Sequence, residues 1–303
     1  MSIVLQRADA VPGSSAAGIV AALASFAMLT AMDTGVKLLG EHYHVLQVAF
    51  FNSLFALMAV VAIGLARGGW SRLRPRVWRL HLLRWSISYT AALAIFWSYP
   101  RLPLADVYAI LFASPLIVTA LSVPLLRERV GWRRWTAVIV GFLGVLVILG
   151  PGGGMIAWPA LVALFGAIGH AFNMLIIRKI GTRDEPVEAI GVVGNGLTLL
   201  IAPFTLPWVW LTPSPGELVI AASAGTVAGA AFLLLAAAFR TAPAALIAPF
   251  QYSQMIHGIA VGWLLFADRP SARMLVGAAI IIASGLYVLS RETPLRRTAG
   301  AGS

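Results

Sequence analysis

The sequence predicts an all-α integral membrane protein: ten transmembrane helices arranged as two inverted five-helix repeats, with both termini cytoplasmic. Three observations carry that expectation. The chain of 303 residues is 60% hydrophobic and only 11% charged, where a soluble domain is about a quarter charged, and its mean hydropathy is +0.89. The apolar residues fall in runs of about 20, the length that crosses a hydrocarbon core as a helix. Finally, the second half of the chain partly matches the first.

The spans, in order, fall at 16–39, 45–66, 81–100, 103–126, 132–150, 155–178, 187–210, 217–239, 243–266 and 271–290. Turn-forming and basic stretches separate them: "ARGGWSRLRPR", "RERVGWRR", "GPGGG", "RKIGTRDEP", "TPSPGE" and "ADRPSAR". Glycine and proline break helices there, and arginine sits at headgroup level. The first span reads as a retained helix and not a cleaved leader, because its loss would leave nine spans. Residues 1–15 and 291–303 read as cytoplasmic tails, the second as disordered.

The basic residues orient the chain. With the N-terminus inside, the inner segments hold Arg7, Arg67, Arg72, Arg74, Arg76, Arg79, Arg127, Arg129, Arg133, Arg134, Arg178, Lys179, Arg183, Arg240, Arg291, Arg296 and Arg297. The outer loops hold Arg101, Arg269 and Arg273, with Lys37 and Arg84 at helix ends. An excess of Lys and Arg marks the cytoplasmic side. The net charge of +11 is therefore a matter of topology, and nucleic acid is not expected as a partner.

Other chemistries lack their residues. There is no cysteine, hence no disulfide, thiolate metal site or cysteine nucleophile. No G-x-x-x-x-G-K-[ST] occurs, so no ATP binding by a P-loop is expected, and H-E-x-x-H is absent. His42-Tyr43-His44 sits in a short loop without a third metal ligand nearby. Neither an enzyme, a cofactor nor a metal site is expected.

A shift of 140 residues (243 minus 103) lays Pro103 on Pro243 and Ala105 on Ala245. It also lays Ala120 on Ala260, Glu128-Arg129 on Asp268-Arg269, Arg133 on Arg273 and Leu149 on Leu289. Two repeats result, at 16–150 and 155–290. Each holds five spans, an odd number, so the second enters the membrane inverted. Inverted repeats allow one packing, seen from either side, to give inward- and outward-open states around a midplane site.

The two repeats end in "PLLRERVGWRRWTAVIVGFLGVLVIL" and "WLLFADRPSARMLVGAAIIIASGLYVL". With a short acidic-basic pair between the last two helices of each half, they resemble the drug/metabolite transporter superfamily. The EamA-type branch matches best, over residues 16–290, and within it the YddG-type exporters of aromatic amino acids. The resemblance implies a multi-pass protein of the bacterial inner (plasma) membrane. It implies secondary transport of a small-molecule substrate by alternating access around a central cavity, with protons as a candidate coupling ion. Export of aromatic and other neutral amino acids is the expected activity, and a broader drug/metabolite exporter that also takes cationic compounds is the alternative.

Intramembrane polar groups are costly and mark pathways. Helical positions three, four and seven apart share a face. Gln251, Gln254, Met255 and Gly258 form one such stripe with His257 on its flank. The amides would line the cavity, and Gly258 would let a ligand reach the backbone. His257 reads as a wall residue or as a packing residue. Gly166, Gly169, His170 and Asn173 form a second stripe, and the shift of 140 lays Thr30 and Asp33 on His170 and Asn173. Asp33 has two readings, an i, i+4 pair with Lys37 or an unpaired carboxyl that couples protons. Tyr89, Phe96, Tyr108 and Phe112 would supply an aromatic wall, while Trp85 and Tyr99 suit interfacial belts. Gly141, Gly144, Gly225 and Gly229 read as close-packing positions. Pro115, Pro124 and Pro249 read as kinks within the fourth and ninth helices.

Overall fold

The computed structural model describes residues 12–126, 131–149, 158–181, 185–242 and 244–299. They form an all-α membrane protein of about ten span-forming helical units. These are α1 (Pro12–Gly40), α2 (Val45–Gly68), α3 (Trp78–Ser98), α4 (Leu104–Leu111) with α5 (Ser114–Leu126), α6 (Trp132–Leu149), α7 (Trp158–Gly181), α8 (Val187–Thr205), α9 (Pro215–Thr241), α10 (Ala244–Ile247) with α11 (Ser253–Phe266), and α12 (Ala272–Ala299). The expected pair Glu128-Arg129 lies outside the described residues.

Among the described residues seven helices are long and apolar enough to cross a membrane. The other three units fall short for identifiable reasons. α3 carries Arg79, His81 and Arg84 in its first turns. The ninth unit is interrupted by a 3-10 segment, Ala248–Tyr252. The apolar stretch at Ala272–Val288 is a short one. α12 nevertheless continues as helix to Ala299, so the tail expected to be disordered from 291 is helical through most of its length. Glu292, Leu295, Arg296 and Arg297 are good helix formers.

The fourth and ninth units are broken rather than kinked. α4 ends at Leu111, Phe112 and Ala113 form a turn, and α5 begins at Ser114. Pro115 therefore sits in the first turn of α5, where its missing N–H costs little, and only Pro124 lies inside that helix. Pro249 lies in the 3-10 segment before α11. Phe112 and Tyr252, which the shift of 140 (252 minus 112) superimposes, meet edge-to-face at 4.9 Å between ring centroids.

Packing follows the repeat. The fifth unit packs on the tenth (α6 on α12), the fourth on the ninth (α4 on α11), and the second on the seventh (α2 on α8). The first packs on the eighth (α1 on α9) as the sixth packs on the third (α7 on α3). Exchanging each unit with the one five places on returns the same set of pairs. Gly144 and Gly277 allow the α6–α12 contact, since a Cβ at Gly144 would stand 2.9 Å from the Gly277 carbonyl oxygen. Gly225 and Gly229 likewise bring α9 onto the carbonyls of Asn52 and Ala56 in α2.

Polar ties gather the loops at two ends. At one end Lys37 Nζ bonds Asp268 (2.7 Å) and the Leu102 carbonyl (3.1 Å), with the Phe266 ring centroid 4.4 Å away. Ala267, in the left-handed region at φ 54°, turns the chain so that Asp268 follows α11 directly. At the same end Tyr43 donates to Glu217 (2.7 Å), and Gln47 exchanges two bonds with the Leu211 backbone. At the other end Glu185 accepts from the Arg76 amide (2.9 Å) and pairs with buried His81 (2.8 Å), and Arg72 reaches Glu188 (3.2 Å). Every one of these ion pairs and side-chain ties except Lys37 to Leu102 joins the first half to the second.

Candidate functional site

Two adjoining chambers lie between the halves. The first, of about 300 Å³, is walled by α1, α3, the α4–α5 break, α7, α9 and the start of α11 with the segment before it. The second, of about 280 Å³, lies between α1, α2, α3, α8 and α9. Leu29, Met32, Ala92 and Phe96 belong to both walls.

Asp33 lines the first chamber and accepts a hydrogen bond from Tyr108 Oη at 2.8 Å. Its pairing with Lys37 is not formed, because Lys37 turns to Asp268 across the halves. Tyr99, which suited an interfacial belt, is instead buried beside Asp33, its ring edge-on to Tyr108 at 6.4 Å. Gly258 serves this arrangement. A Cβ there would fall 2.6 Å from the Tyr108 ring, so the missing side chain admits Tyr108 and not a ligand.

Phe96, Tyr108, Phe112, His170, Gln251 and Gln254 all face the first chamber. Neither glutamine amide has a hydrogen-bond partner among the described residues, which leaves donors and acceptors free for a bound molecule. Tyr89 lies in the second chamber, stacked on Trp85 at 5.5 Å. Trp85 too leaves its expected belt, donating from Nε1 to Thr198 at 3.1 Å. Two expected residues stand outside both walls. Asn173 accepts from Arg84 at 3.4 Å instead of facing a chamber, and the buried Nδ1 of His257 has no partner. Gly166 and Gly169 do not face the cavity either. They seat α7 on Ala91 and Ile95 of α3.

The residue that sequence reasoning missed is Arg84. Assigned to a helix end, it is 7% exposed and lines the second chamber with Asn52, Ser53, Ser88, Asn195 and Thr198. Helical spacing carried the signal. Arg84, Ser88 and Ala92 continue, at steps of four, the stripe that holds Trp85, Tyr89 and Phe96.

Polar and aromatic groups around a central cavity, between two halves of a multi-pass membrane protein, define a transporter of small molecules. Among the described residues no cluster of His, Cys, Asp and Glu could hold a metal ion. The chain belongs to the EamA-like transporter family, whose profile matches residues 16–150 and again 157–290. It is thus a secondary transporter of small metabolites, a member of the drug/metabolite transporter superfamily and not an enzyme. It is similar to the riboflavin transporter of Vibrio cholerae, 30% identical over 82% of this chain and 84% of the relative. An S-adenosylmethionine uptake transporter of Rickettsia prowazekii is 25% identical over 86% of this chain and 88% of its own. A pseudopaline exporter of Pseudomonas aeruginosa is 24% identical over 87% and 92%. A solved crystal structure shares the fold, with a TM-score of 0.59 at 19% identity over 93% of this chain and 99% of that one.

Proposed function

We propose that the protein carries planar, nucleoside-sized metabolites across a bacterial inner membrane by alternating access, with both termini cytoplasmic and the second five-helix repeat (155–290) inverted relative to the first (16–150). The observation that carries this reading is the pair of chambers joined at Phe96, each with aromatic rings beside hydrogen-bonding groups. Together they suit a molecule with a flat ring system and a polar extension, within the size range of small-molecule sites, about 300–1,000 Å³. Two of the relatives named above are transporters of riboflavin and of S-adenosylmethionine, and both of those cargoes have that shape.

Export of an aromatic amino acid is the second reading. It is favoured by the first chamber alone, where Phe96, Tyr108 and Phe112 would stack on the ring. Asp33, His170, Gln251 and Gln254 would bind the zwitterion. Asp33 would also be the proton-coupling carboxyl. The basic loops support, by the positive-inside rule, a topology with the Glu185 end in the cytoplasm and the Lys37 end outside.

Counterflow in proteoliposomes tests these readings without assuming a direction. Labelled riboflavin, S-adenosylmethionine, tryptophan, phenylalanine and a cationic dye are each followed into vesicles loaded with the unlabelled compound. Exchange of riboflavin or S-adenosylmethionine ahead of the amino acids is the expected result. Exchange of the amino acids alone would establish the second reading, and exchange of the dye alone the broader drug exporter.

A further inference from the structure

We infer that Arg84 forms a subsite for an anionic group of the cargo, a carboxylate or a phosphate, in the second chamber; this rests on the transport reading and names a chemical feature of the substrate. Arg84, in the second turn of α3, is only 7% exposed. It does not snorkel, for it is Leu82 and Leu83 on the same turn that face outward, 48% and 51% exposed. Its guanidinium donates to the Ile190 carbonyl at 3.0 Å and to Asn173 at a long 3.4 Å. Nε is buried without a partner.

No carboxylate among the described residues pairs with it. Lys37, Arg72 and His81, by contrast, pair with acids at the two ends of the molecule. A guanidinium has five N–H donors in a planar fork that matches carboxylate and phosphate oxygens two at a time. Held in a low-dielectric interior with two neutral acceptors, such a cation is expensive. An anion entering the chamber would offset that cost.

The surroundings suit an anion. Asn52, Ser53, Ser88, Asn195 and Thr198 are neutral hydrogen-bonding groups, and the chamber wall includes no acid. The chamber is also shaped around the guanidinium, since a Cβ at Gly194 would stand 2.7 Å from Nη2. Asp33, a buried acid of α1, lines the other chamber, beyond the shared Phe96. A cargo spanning both would place its anion near α8 and its cationic or donor groups near α1.

The test uses binding and does not require transport. Thermal unfolding of the purified full-length protein in detergent is followed with benzoate, phenyl phosphate or neutral benzamide, three probes with the same ring. Benzoate or phenyl phosphate should bind at least about tenfold more tightly than benzamide, roughly what one charge-assisted contact is worth. Whichever anion gives the larger shift names the group.

Arg84→Gln should erase the preference, and Arg84→Lys should keep part of it. Gly194→Ala, which displaces the flexible end of the side chain, should weaken the anions more than it weakens benzamide. Equal binding of all three probes to the native protein would overturn the subsite, as would a preference that persists in Arg84→Gln. If Arg84→Gln does not fold, Gly194→Ala decides the matter by the same comparison. A failed counterflow experiment beside a retained anion preference would sink the proposed cargo shape and leave the subsite standing.

Discussion

At the scale of single residues, Asp33, Tyr108 and Gly258 form one packed, hydrogen-bonded unit. The Tyr108 hydroxyl reaches the carboxyl because Gly258 leaves room for the ring, so three residues from three units set one hydrogen bond. A hydrogen bond to an ionised group contributes about 1.5–3 kcal/mol. Tyr108→Phe should therefore slow exchange of the cargo by about tenfold or more while the protein stays folded. Asp33→Asn should abolish stimulation by a pH gradient yet keep counterflow at equal pH on both sides, if the carboxyl is the coupling group. Stimulation that survives in Asp33→Asn would remove Asp33 from that role. The carboxyl was legible in the sequence because an acid inside an apolar run stands out. Its partner was not, because Tyr108 belongs to another helix and only packing joins them. Arg84 was concealed for a different reason. A basic residue near the start of a span resembles an interfacial anchor, and its burial depends on α3 beginning further out, at Trp78.

Apolar length read the elements well wherever helices are regular, and poorly where they break. The expected spans 45–66 and 132–150 correspond to α2 and α6 within two residues at each end. The fourth and ninth were read as kinked because proline signals a missing N–H but does not say whether the chain bends or stops. The break at Phe112–Ala113 depends on the turn fitting against Tyr252 from the other half, which is tertiary information. The glycine spacings were more informative. Gly144 places α6 against the Gly277 backbone, a contact that small residues permit between membrane helices. Gly144→Val would force the helices apart, and overpacking of this kind costs about 1–3 kcal/mol. The variant should melt several degrees lower in detergent, with counterflow per folded molecule largely kept because neither chamber includes Gly144. A melting temperature equal to that of the native protein would show that the α6–α12 contact yields without cost.

For the molecule as a whole, the ties at its two ends connect one half to the other. Tyr43–Glu217, Gln47–Leu211 and Lys37–Asp268 close one end, and His81–Glu185 and Arg72–Glu188 close the other. Apart from Lys37–Asp268, where the end of α1 meets the fourth loop of the second half, the first loop of one half meets the second loop of the other, which supports the proposed inversion. Alternating access then requires each set to open in turn while the opposite set holds. The chain has no cysteine, so thiols introduced in pairs are the sole reactive ones. Tyr43→Cys with Glu217→Cys, bridged by a reducible bifunctional reagent, should stop counterflow, and reduction should restore it. Arg72→Cys with Glu188→Cys should do the same from the opposite end, provided each unbridged pair still exchanges cargo. Full exchange through a bridged outer or inner pair would mean that the halves stay together at that end, and rocking about the central chambers would then have to give way to a local gate.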